Sequence, residues 1–290
     1  MKSIKRWLSI ATLLLVAVAF TYYWRAHPEL NQNLSRLSTL TFTKVILLYG
    51  LMLVVLVGIY DTILKLCRKS IPLQEHTQLT IYSSIANFFG PLQSGPGVRS
   101  IYLKQKHQVK FKDYATATVI YYLMFAGISG LALISGLRPI WLALIIVVVV
   151  ALIVLVLYLS IGRYRPQLIK DDYSLSLLSR LALITFAQVL LVSLIYFIEL
   201  KSINSHINFS QAIVYTGAAN FSLFVSLTPG ALGFRESFLL FSQHLHHINA
   251  STIIIANVID RAAYITFLAG LFIVAMALHA KSKISAKAVA

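Results

Sequence analysis

Apolar residues run along this chain in blocks, and a small number of polar positions interrupt them. About 20 helical residues cover the hydrocarbon core of a bilayer, at 1.5 Å of rise each. Six blocks come near that length, at residues 7–24, 44–64, 114–136, 139–161, 177–199 and 252–278. Two further apolar segments, 79–103 and 211–243, are each cut by a Gly/Pro cluster that ends in arginine. The first cluster contains Gly95, Pro96, Gly97 and Arg99; the second contains Pro229, Gly230, Gly233, Arg235 and Glu236. Proline has no amide donor and glycine weakens helical order, so both clusters predict broken helices, the second restarting at Gly233 to Phe234. Broken backbone is tolerated at membrane depth only when buried in protein or lining a polar cavity, which makes the clusters the first candidates for a functional site.

Each interrupted segment either crosses the membrane or enters and leaves on one side. Basic residues decide between these, because Lys and Arg concentrate in cytoplasmic loops. With six crossings and two re-entrant hairpins, 18 of the 25 Lys and Arg fall on the cytoplasmic side; with eight crossings only 11 do, against 13 outside. The re-entrant arrangement is therefore expected, with both termini cytoplasmic. Met1-Lys-Ser-Ile-Lys-Arg6 and Ala17-Val18-Ala19 could mark a cleaved signal peptide, but apolar sequence continues to Tyr22-Tyr23-Trp24, an interfacial belt that fits a retained first span.

The two halves repeat. Tyr82…Asn87-Phe88 matches Tyr215…Asn220-Phe221, Gly97-Val98-Arg99-Ser100 matches Gly233-Phe234-Arg235-Glu236, and Tyr121 with Gly127 matches Tyr264 with Gly270. In the re-entrant topology these repeats are inverted, an arrangement that places a transporter's site near the midplane at the repeat interface. The expected fold is thus an all-α integral membrane protein of six transmembrane helices and two re-entrant broken-helix hairpins. The first helix and outer loop take 1–40, the first repeat 41–138, a connecting helix and cytoplasmic loop 139–175, the second repeat 176–280 and a basic tail 281–290.

Composition agrees and narrows the function. At 58% hydrophobic and 12% charged, with mean hydropathy +0.79, an ordinary soluble domain is excluded. Net charge +16 would suit nucleic acid, but no soluble stretch is long enough to form a binding domain, so the basic residues point to anionic lipid headgroups. Cys67 is the only cysteine, which leaves no intramolecular disulfide and no cysteine metal site. No cofactor motif is present.

Charged groups at membrane depth need partners or water. Arg99 and Arg235 hold matched positions at expected helix starts, where an arginine fork and free amides suit a phosphate or phosphodiester. Alternatively each marks an interface or pairs with a carboxylate. Asp260 and Arg261 are adjacent on the last span and face different ways, so Arg235 with Asp260 and Glu236 with Arg261 are expected cross-pairs, structural or part of a relay. Asn87 and Asn220 are expected to bond across helices, with substrate contact as the alternative. Asp61 and Glu199, near span ends, are expected at the interface, as are His244, His246 and His247. Tyr121, Tyr122 and Tyr264 either pack or line a cavity.

Leu227-Thr-Pro-Gly-Ala-Leu-Gly-Phe-Arg-Glu-Ser237 resembles the Pro-Gly-Gly-Leu-Gly-x-Arg-Glu signature of the lysylphosphatidylglycerol synthase transmembrane region, a flippase module. Gly95-Pro-Gly-Val-Arg99 is similar to that family's first-half element, and Asp260-Arg261 to its acidic-Arg pair. Two departures stand out: Thr116 to Tyr121 carries no charge where relatives have a Glu-Arg pair, and no soluble acyltransferase-like domain follows. The resemblance therefore implies a bacterial inner-membrane module that moves a phosphate-bearing lipid between leaflets, without aminoacyl transfer from tRNA. It makes Arg99, Arg235, Glu236, Asp260 and Arg261 substrate-binding candidates, joined by the repeat-matched Asn87 and Asn220, and makes lipids with anionic headgroups the partners. The alternatives are an accessory subunit of a lipid-linked glycosyltransferase or synthase, and an enzyme acting on lipid phosphate through Asp260 and Glu236.

Overall fold

A computed structural model describes residues 38–89, 94–137, 172–225, 231 and 233–288. The spans expected at 7–24 and 139–161, and the breakers Pro229 and Gly230, lie outside the described residues. Within them the backbone forms nine helices and no strand. They are α1 (Thr39–Leu66), α2 (Leu73–Phe89), α3 (Gly95–His107), α4 (Phe111–Ile134), α5 (Asp172–Ile203), α6 (Phe209–Val225), α7 (Phe234–Phe241), α8 (Gln243–His246) and α9 (Ala250–Ala288). Four stretches are long and apolar enough to cross a membrane, namely α1, α4, Leu175–Ile203 and Ala250–Val274. The described residues are all-helical, and the protein passes the membrane several times.

The helix order has a period. A long helix, a 17-residue helix, a short helix and a long helix run from α1 to α4, and the series recurs from α5 to α9 with the four-residue α8 inserted. Both interrupted segments are broken helix pairs, α2–α3 and α6–α7. The long helices show why they pack side by side in lipid. On α1, Val45, Met52, Ile59 and Ile63 are buried at helical spacing, while Leu47, Leu51 and Val54 are exposed on another face. Helices apolar all round bury one stripe against protein and give the other to acyl chains.

The halves interlock. α1 lies along α5, α4 packs on α6, and α9 packs on both α1 and α2, so the last long helix of each half supports the first arm of the other half's broken pair. One apolar core gathers Ile59, Ile63, Tyr114, Tyr121 and Leu181; a second gathers Ile195, Leu200, Tyr215, Leu239 and Ile253.

Candidate functional site

The α3 restart is built by close approach. Ser94 Oγ donates to the Ala86 carbonyl at 3.0 Å, and the Gly95 amide donates to Asn87 Oδ1 at 3.4 Å, tying α3 back onto α2. A Cβ on Gly95 would lie 2.6 Å from the Ser83 carbonyl oxygen, so only glycine lets the two arms meet this way. Gly95, Pro96 and Gly97 form the first turn of α3 rather than the interruption itself, with Pro96 in the first turn, where its missing amide costs nothing. Arg99 consequently sits one turn inside the helix, not at its free amides.

Neutral groups hold Arg99. Its Nε donates to the Tyr114 hydroxyl and its Nη1 to Ser83 Oγ, each at 3.0 Å, and the guanidinium lies 3.3 Å from the centroid of the Tyr60 ring. The residue is 4% exposed, and among the described residues no carboxylate lies within ion-pair distance of it.

The α7 restart is electrostatic instead. Gly233 caps the helix at φ 80°, a conformation an L side chain rarely adopts, and its amide donates to Glu236 Oε2 at 2.9 Å. The other oxygen, Oε1, accepts from Arg261 Nη2 at 2.7 Å and Nε at 3.1 Å. Arg235, the second residue of α7, donates from Nη1 to Asp260 Oδ2 at 2.6 Å and lies 5.0 Å from the Tyr196 ring centroid. The Tyr49 hydroxyl donates to the second Asp260 oxygen. Both expected cross-pairs are present. Arg235 keeps Nε and Nη2 buried without a hydrogen-bond partner among the described residues.

Both arginines reach one cavity of about 250 Å³. Asp260, Arg261, Asn87 and Asn220 also line it, whereas Glu236 does not and acts as the cap of α7. Asn220 Nδ2 donates across to Ser129 Oγ of α4 at 3.0 Å. Tyr121 and Tyr264 line the cavity too, Tyr121 donating to Gln188 at 3.0 Å. Tyr122, Phe125 and Phe224 make an aromatic wall, with Phe125 and Phe224 centroids 6.0 Å apart.

Several contributors escaped sequence reasoning. Tyr60 and Tyr114, which hold Arg99, come from helices whose aromatic content carries no local signal of that role. Glu199, expected at the interface, has 0% exposure, and neither carboxylate oxygen has a hydrogen-bond partner among the described residues. The reason is length and cover: α5 runs on to Ile203, and the core around Leu200, Leu239 and Ile253 closes over that end. Asp61 does sit in a polar setting, 2.8 Å from Lys65 and 3.5 Å from Arg180.

The ends of the two broken pairs also differ. Glu75 Oε1, in α2, collects the Tyr102 hydroxyl at 2.6 Å, His107 Nε2 at 2.6 Å and Lys106 Nζ at 2.9 Å from α3. Burial raises the Glu75 carboxyl, but these three donors outweigh it and hold the group at about 2. In the second half, His246 is 1% exposed, not solvated as its neighbours suggest. Its Nδ1 accepts from the Ile248 amide at 3.2 Å, which assigns the proton to Nε2, 3.1 Å from the Leu239 carbonyl. Burial lowers this imidazole to about 4.

Residues 6–272 match the model of the lysylphosphatidylglycerol synthase TM region, and the chain belongs to that family. No curated protein matches it.

Proposed function

We propose that this protein is a lipid translocase: it moves an anionic, phosphate-bearing lipid, a phospholipid or a polyprenyl-phosphate carrier, between membrane leaflets. The observation that carries the reading is Arg99, a buried cation on the cavity wall whose partners among the described residues are hydroxyls and an aromatic ring. A permanently charged group without a counterion is costly at membrane depth, and a phosphate in the cavity supplies one. The guanidinium fork matches phosphate oxygens.

Cavity size supports a headgroup rather than a whole lipid. At about 250 Å³ it falls below the ~300–1,000 Å³ of pockets that enclose drug-sized ligands, so acyl chains stay in the bilayer while the headgroup crosses. The recurring helix series and the two broken pairs facing one cavity fit the inverted-repeat arrangement, with access alternating between leaflets of the inner membrane and both termini cytoplasmic. Transport, not covalent chemistry, is the role this implies.

Reconstitution in phosphatidylcholine vesicles with fluorescent phosphatidylglycerol tests the proposal. Wild-type protein accelerates exchange between leaflets, and Arg99→Gln slows it roughly 10- to 100-fold, the worth of a charged hydrogen-bond anchor. Wild-type vesicles no faster than protein-free ones, or an unchanged rate in Arg99→Gln, would overturn it. Inactivity together with a co-purifying glycosyltransferase would favour the accessory-subunit reading.

A further inference from the structure

A buried carboxylate without a hydrogen bond is not a stable resting place for negative charge; it needs a cation or a proton. Glu199 on α5 is fully buried, and both its oxygens lack a hydrogen-bond partner among the described residues. The charged groups within Coulombic reach are Arg235 on α7 and Asp260 on α9, and the ionisable hydroxyls around it are Tyr49 on α1, Tyr196 on its own helix and Tyr215 on α6. Arg235 already gives its ion pair to Asp260 at 2.6 Å. One guanidinium therefore serves two carboxylates: Arg235 and Asp260 line the cavity, and Glu199 lies outside its lining, fully buried beside them.

We propose that Glu199 is a proton-binding site whose occupancy is coupled to anion binding at Arg235, making the protein a proton–lipid cotransporter; this rests on the translocase reading. With Glu199 ionised, the two carboxylates outnumber Arg235 and repel an incoming phosphate. With Glu199 protonated, the Arg235–Asp260 pair is neutral as a unit, and Arg235, whose buried Nε and Nη2 have no partner among the described residues, turns these N–H groups to donate to phosphate oxygens. Coupling of this kind is reciprocal: bound phosphate strengthens proton binding at Glu199 as much as the proton strengthens phosphate binding. The proton comes from water on the loading side and returns to water on the unloading side. No bond of the lipid is made or broken, and a singly charged lipid crosses with its charge compensated.

The test uses the same vesicles with fluorescent phosphatidylglycerol and an imposed pH difference of about one unit across the membrane, a tenfold ratio of proton activity. One-to-one coupling drives the wild-type lipid distribution between leaflets up to about tenfold away from even, toward the alkaline side. Glu199→Gln mimics the protonated state; it still exchanges the lipid but leaves the distribution even whatever the gradient. Glu199→Asp restores the response and guards against a folding defect in Glu199→Gln, with thermal unfolding in detergent checking both. Fast wild-type exchange with an even distribution overturns the coupling and leaves the translocase reading intact. A gradient response retained in Glu199→Gln overturns the assignment to Glu199. Absence of any wild-type exchange overturns the translocase reading and this inference with it.

Discussion

Arg99 and Arg235 occupy corresponding places in two successive helix series and line the same cavity, yet opposite chemistry holds them. Arg99 rests on Tyr60, Tyr114 and Ser83 in a helix positioned by steric approach at Gly95. Arg235 is clamped to Asp260 in a helix positioned by the Glu236–Gly233 and Glu236–Arg261 contacts. A guanidinium on neutral partners keeps its charge available to a ligand, whereas one in a buried ion pair is part of the scaffold and offers only its unused edge. On the proposed function the difference divides the labour: the first half would anchor substrate, and the second half would set the electrostatic state of the cavity.

The largest expected effect separates these two roles. Asp260→Asn removes the only carboxylate hydrogen-bonded to the buried Arg235 among the described residues and lowers stability by about 3–5 kcal/mol, whereas Arg99→Gln costs about 1–2 kcal/mol, read from thermal unfolding in detergent. Joint replacement by Arg235→Met and Asp260→Leu recovers most of the Asp260→Asn loss. Equal losses for Asp260→Asn and Arg99→Gln would break the comparison.

Acidification sharpens it at the ends of the broken pairs. His246 has its folded pKa depressed from 6.5 to about 4, so its neutral form carries no penalty above pH 6.5. As pH falls from 6.5 toward 4 the unfolded state binds the proton and the folded state does not, and stability drops by up to about 3 kcal/mol. Glu75 is depressed from 4.5 to about 2, so its contribution is complete above pH 4.5 and is lost as pH falls through 2. Hydrogen exchange between pH 7 and pH 4.5 should therefore rise around residues 242–249 before residues 73–107; the reverse order would contradict both assignments.

Backbone changes give the smaller effects. Gly95→Ala forces α3 off α2 through the Ser83 carbonyl, costs about 1–3 kcal/mol and slows lipid exchange by displacing Arg99, which the vesicle assay reads. Ala231 lies on the cavity wall at φ 56°, a left-handed conformation unfavourable for alanine. Ala231→Gly relieves that strain and, after the added freedom of the unfolded chain, stabilises by about 0.5–1 kcal/mol in the same melts. Destabilisation would mean that the Ala231 methyl packs more than it strains.

The sequence by itself determined the features that depend on near neighbours and on solvent. Apolar runs of bilayer length set α1, α4, α5 and α9, because unpaired backbone is intolerable in lipid and a helix satisfies its own. The restart of α7 at Phe234 was legible because glycine acts locally and Gly233 caps it, whereas Gly95, Pro96 and Gly97 open α3 rather than interrupt it. The Arg235–Asp260 and Glu236–Arg261 pairs could be named in advance because charge is so scarce at membrane depth that each cation has few possible partners. Tertiary structure alone decided the rest. Burial of Glu199 depends on α6, α7 and α9 closing over the end of α5, and the hold on Arg99 depends on Tyr60 and Tyr114 arriving from helices on either side of α2–α3. An aromatic residue in a span reads the same whether it faces lipid, core or cavity, and packing is what distinguishes them.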